Sequence, residues 1–201
     1  SRLREVESTF RAAGDRRSVF LTVYTHMTDA MQRGIESGFF ADPEWTRRSV
    51  VTFANHYRRA LVGYARERDE QVPPPWQVGF DASLDGSTLV LQDAVLGINA
   101  HINYDLTYTL RRIGIDPNRP TKFEDYLRIN DVLARLVDAV QTALVDVYSS
   151  QNVAALDPLL GSFDEFLTVM GLTTSRRFAW ENAELLTDVE LPLVSGYVDW
   201  R

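Results

Sequence analysis

The sequence predicts an all-α fold: one domain, residues 1–201, built as a bundle of six to eight helices around a buried central helix at about 87–113. Three observations predict it. Apolar residues recur at three- and four-residue spacing along most of the chain, as one face of an α-helix requires. Helix-starting and helix-ending residues punctuate these runs, and the alternation of a half-buried strand is confined to about 190–198. Finally, "LGINAHINYDLTYTL", Leu96 to Leu110, is apolar on nearly every side, the pattern of a helix enclosed by others.

The elements follow in order. A first helix spans Arg2 to Ala13 and ends at Gly14-Asp15. A second covers about Ser18 to Phe39, with Phe20, Tyr24, Met27, Met31 and Ile35 as its core stripe. Asp42 caps a third, Pro43 fits its first turn, and Glu44 favours the positive helix end. "QVPPPWQVGF" interrupts the pattern, with a short helix restarting at Trp76, and 70–86 is expected to be a lid or boundary loop. The central helix follows. Thr121 and Glu124 match a capping box for a helix running to about Tyr148. Helices at about 158–170 and 175–186 and an extended tail complete the chain.

Composition narrows the function. With 45% hydrophobic and 24% charged residues, the chain is that of an ordinary soluble domain. A net charge of −7 argues against a nucleic-acid partner. The absence of cysteine excludes disulfides, thiolate catalysis and Cys-ligated zinc. No apolar run could span a membrane and no signal peptide is visible, so the cytoplasm is the expected compartment. The start at Ser1 suggests removal of a leader or tag. Nucleotide-binding glycine loops and nucleophile elbows have no counterpart.

The central helix carries the candidate chemistry. His101 and Asp105, four apart, share one helix face, whereas Asn99 and Asn103 share another roughly 160° away. Either two polar clusters form, or one is structural. An Asp bonded to His orients the ring for general acid–base work. His26 and His56 lie on two other helices, one histidine per helix, an arrangement from which bundle sites are assembled. His26, His101 and Asp105, with His56 as a further candidate, would suit one divalent metal: zinc, iron or manganese. His26 is alternatively an acid or base. Asn99, Asn103, Tyr24, Tyr104, Tyr108 and Arg177 are candidate substrate contacts, with Arg177 also placed to pair with Glu181.

The segments "VYTHMTDAM", "DPEW…VVTFANHY", "LVLQDAVLGINAHINYDL" and "RRFAWENAELL" resemble an uncharacterised prokaryotic family catalogued only as a domain of unknown function, over about Phe20 to Leu186. That resemblance implies no activity. It implies that Thr25-His26, Asn99, His101, Asn103 and Asp105 belong to the family's hallmark segments. His101 and Asp105, one turn apart on a central helix, also resemble ligands of the helical zinc-dependent phospholipase C and nuclease proteins. The other histidines of their three-zinc centre are missing, which leaves one metal or a metal-free relic of that scaffold.

The expected function is an enzyme acting on a small molecule, in its most concrete form a metal-assisted hydrolase of an ester or phosphoester using His101 and Asp105. The alternatives are a non-catalytic binder of an apolar small molecule, and an interaction module whose polar core sets register only.

Overall fold

The computed structural model describes residues 2–67, 70, 72–86, 88–148 and 171–189. They form α1 (Arg2–Ala12), α2 (Ser18–Glu36), α3 (Pro43–Ala65), α4 (Pro74–Asp85), α5 (Val90–Asn99), a π-helical turn (Ala100–Asp105), α6 (Leu106–Ile113), α7 (Arg119–Ala134), α8 (Val137–Tyr148) and α9 (Gly171–Asp188). No strand occurs among the described residues, so the all-α reading holds. The expected helix at 158–170 and the extended tail lie outside the described residues.

α5, the π turn and α6 run continuously as the central rod, packed by α2, α3, α4 and α9. Its burial is less complete than the periodicity predicts: Gln92, Asn99 and Asn103 form an exposed strip. Asp93, on the rod's first turn, is instead buried and takes the Arg16 guanidinium (Nε to Oδ2, 2.8 Å), which ties α5 to the start of α2. α2 approaches the rod closely at Gly97, where an added Cβ would lie only 2.5–2.8 Å from Cδ2, Cγ and Cβ of Phe20. A side chain there would push Phe20 away.

Two predicted elements are corrected. The segment at 70–86, expected as a loop with a short helix restarting at Trp76, is helix from Pro74 to Asp85. Pro74 occupies the first turn of α4, where its missing N–H costs nothing, and Trp76 and Phe80, four apart, enter the core. A lid would not bury these rings. The single helix predicted from Thr121 to Tyr148 is two, broken at Arg135-Leu136, and its expected capping box does not form: Asn118 precedes α7 without a side-chain cap. The break has no proline or glycine. It lets Ile129 and Leu133 of α7 join Met31 and Phe40 in a satellite cluster while Val140, Leu144 and Tyr148 of α8 enter the main core.

Other starts are as predicted. Asp42 accepts from the Trp45 backbone N–H at 2.9 Å and caps α3. Asp125 of α7, fully buried, accepts from the backbone N–H groups of Ala41 and Asp42 at 2.8 and 2.6 Å, which holds that entry against α7. Lys122, the chain's only lysine, is buried and donates to the carbonyls of Gly114 and Asp116 beyond the end of α6.

Candidate functional site

The polar groups of the central rod separate into two clusters. Asn103 donates to Asn99 (Nδ2 to Oδ1, 2.6 Å) on the exposed strip. His101 and Asp105 are buried on the far side, with Nδ1 of the ring 2.8 Å from Oδ2 of the carboxylate. The π turn contains both residues of this second pair. Such wide turns recur at functional positions in helices.

A buried carboxylate needs donors. Asp105 has a second one: the Trp76 indole Nε1–H donates to the same Oδ2 at 2.9 Å. An indole can only donate, so Oδ2 accepts from Trp76, and Nδ1–H of His101 fits the same oxygen as a second donor. Nε2 of His101 therefore carries the lone pair. That atom is buried and has no hydrogen-bond partner among the described residues. Burial pushes the imidazole's pKa down, against the upward pull of Asp105, so the ring is neutral at neutral pH.

Aromatic rings box the imidazole. Phe53 stacks on it (centroids 3.4 Å, 7° between planes), Tyr24 meets it edge-on at 4.7 Å, and Phe20, Trp76 and Tyr57 stand at 5.6, 5.8 and 6.4 Å. The hydroxyls of Tyr24, near Thr28, and of Tyr57 are also buried without a partner among the described residues. Burial raises both phenol pKa values, so these groups stay protonated and are donors. An apolar cavity of about 60 Å³ touches His101, Tyr24, Phe20, Met27, Ile98 and Ile102. It holds a water or a small substituent, not a drug-sized ligand.

Asp105 also lines a second space, a cleft of about 510 Å³ between α3 and α6. His56 and Arg59 face it from α3; Tyr104, Tyr108, Arg111 and Arg112 face it from the π turn and α6. Tyr104 and Tyr108 stand 5.1 Å apart, centroid to centroid. The His56 Nε2 atom is buried without a partner among the described residues. Burial lowers the His56 pKa; Asp105 works against that, and Arg59, His101 and Arg112 add to it.

Tyr24 thus joins His101 and Asp105, whereas Tyr104 and Tyr108 join His56 in the neighbouring cleft. His26 joins neither. It is two residues past Tyr24, roughly 200° round α2, and its Nδ1 lies 2.8 Å from the Thr22 carbonyl oxygen in a groove shared with Arg4, Glu7 and Asp29. The expected ligand set of His26, His101, Asp105 and His56 does not assemble: among the described residues no three His, Asp or Glu side chains group closely enough to hold a metal. Asn99 and Asn103 face away from the buried pair. Arg177 is exposed and pairs with Glu181 (Nε to Oε1, 3.0 Å), as its spacing predicts. Its neighbour Arg176 is the buried one, donating to Asn130 Oδ1 and the Tyr126 carbonyl.

Trp76 is the functional side chain that sequence reasoning misses: a short helix is expected to restart there, but spacing within a helix does not connect its indole to Asp105 on another one. A signal was present: a proline suited to a helix's first turn, then two aromatic residues at helical spacing. Arg111 and Arg112, seven and four residues after Tyr104 and Tyr108, were equally available from the spacing.

A family model described as "Family of unknown function (DUF5995)" matches residues 1–194, and the chain belongs to that family. No match is found among curated proteins or among solved structures. No helix among the described residues is long and apolar enough to cross a membrane.

Proposed function

We propose that this DUF5995 chain is an acid–base enzyme of the hydrolase type, with His101 as its base. One observation carries the reading: Nδ1 of His101 is held by Asp105, while Nε2 is buried and without a partner among the described residues. Leaving a buried group unpaired costs about 1–3 kcal/mol, which a reacting partner at Nε2 would offset and a purely structural role would not. The apolar-binder alternative calls for a closed cavity of at least about 300 Å³, several times the 60 Å³ that His101 and Tyr24 line.

In this reading Nε2 takes a proton from a water as the water oxygen bonds to the acyl carbon, and the imidazolium returns that proton to the alcohol oxygen as the ester C–O bond breaks and the alcohol leaves. The imidazolium that results is stabilised by Asp105, whose negative charge already faces Nδ1–H. Trp76 keeps the carboxylate from rotating away. The Tyr24 hydroxyl, protonated and beside the same cavity, donates to the oxygen on which negative charge develops. The small cavity limits the reacting group to something the size of a short acyl chain.

The test is turnover of p-nitrophenyl acetate by the wild-type chain and by His101→Gln, with circular dichroism as the fold check. Loss of about 100-fold or more is expected, the usual contribution of a positioned base. Unchanged turnover in a folded His101→Gln variant, or a nitrogen-15 spectrum that puts the ring proton on Nε2, would overturn the proposal.

A further inference from the structure

The cleft between α3 and α6 has the features of a second recognition site, and its argument does not depend on what His101 does. Its volume, about 510 Å³, is that of a small-molecule site. Three guanidinium groups line it, and none of Arg59, Arg111 and Arg112 forms an ion pair with a described residue. In a chain of net charge −7, three cations gather around one opening whose lining includes a single carboxylate, Asp105. Gathering like charges costs energy in the empty cleft, and a bound anion reverses the sign of that cost.

His56 supplies the second, independent observation. Its buried Nε2 has no partner among the described residues, and the ring borders the cleft. An anionic oxygen would satisfy that nitrogen as a hydrogen-bond donor. Tyr104 and Tyr108, tilted 52° with centroids 5.1 Å apart, form an aromatic wall on the opposite helix. Asp105, whose carboxylate would repel an anion, has Oδ2 engaged by Trp76 and His101.

We propose that this cleft binds a small aromatic phosphate monoester, its phosphate held by Arg59, Arg111, Arg112 and His56 and its ring against Tyr104 and Tyr108. Three guanidiniums match a dianion better than a singly charged carboxylate, and guanidinium pairs with phosphate through two parallel hydrogen bonds. The tyrosine wall favours a planar body over a flexible chain.

Calorimetric titration with phenyl phosphate, benzoate and inorganic phosphate tests this, with backbone and imidazole NMR shifts locating the site. Phenyl phosphate is expected to bind tightest and to shift the His56 ring resonances. Exchanging both Arg111 and Arg112 for Gln weakens it by about ten-fold or more, the loss expected when charge-assisted bonds are removed. Arg59→Gln, on the other helix, weakens it in the same direction. His101→Gln leaves binding within about two-fold, which separates this site from the base proposed above. Binding that survives the arginine exchanges, a response to benzoate equal to that of phenyl phosphate, or no response at millimolar phenyl phosphate overturns the proposal while leaving the role of His101 standing. Loss of p-nitrophenyl acetate turnover dependence on His101, with phenyl phosphate still bound, does the reverse.

Discussion

His101 and His56 present the same ring to two adjoining spaces, and the contrast between them separates position from chemistry. Both leave Nε2 buried and without a partner among the described residues. His101 is enclosed by five aromatic rings and fixed by a carboxylate on Nδ1, so its proton has one place to be. His56 is half-buried at the edge of a charged cleft, among arginines, with its pKa lowered first by burial, raised by Asp105 and lowered further by Arg59, His101 and Arg112. The first environment orients a base; the second receives a charge. Asp105 links the two: it is bonded to the His101 ring and forms part of the wall of the His56 cleft.

The largest expected effect comes from removing that link. Asp105→Ala strands two buried donors, Nδ1–H of His101 and Nε1–H of Trp76, and is expected to cost about 3 kcal/mol or more in urea denaturation. A cost no larger than that of an exposed substitution would show that the two donors find other partners. Gly97→Ala comes next. It drives a methyl group into Phe20, a wall of the box, and an overpacking loss of about 1–3 kcal/mol is expected, with a change in the aromatic circular dichroism signal.

The effect of pH is smaller. Burial depresses the folded-state pKa of His101 below its unfolded value of about 6.5. Between those two values the unfolded chain binds the extra proton, so stability is full above about pH 6.5 and falls as the solution becomes more acid. His101→Gln should flatten that fall, whereas His56→Gln should change it less, because His56 is only half-buried. An equal effect of the two would erase the contrast. The smallest expected effect is in the cleft: exchanging Arg111 and Arg112 for Gln should alter stability by no more than about 0.5 kcal/mol each, since both are exposed and bound to no carboxylate.

Much of this was legible in the sequence, and the exceptions have physical causes. Periodicity located the central helix and joined His101 to Asp105, because four-residue spacing keeps two side chains adjacent in an α turn and very nearly so in the wider π turn. It overstated the helix's enclosure: Asn99, Asn103 and Gln92 form a solvated strip that apolar neighbours conceal in a linear reading. Spacing within a helix carries no information about which helices meet. Hence His26 and His56 were grouped with His101, although His26 faces the α1 seam. The proline run at 73–75 read as an interruption, when its last two members begin α4 and bring Trp76 to the carboxylate. The division of α7 from α8 left no local mark, since it serves two separate clusters of side chains.

Lys122 has a practical consequence. Its ammonium group is the only one any side chain of these 201 residues can offer, and it is spent on two carbonyl oxygens within the fold. Acylation of Lys122 itself should therefore be slow in the native molecule and proceed as the end of α6 comes apart, so its rate, read by peptide mapping, is a clock for opening at that corner.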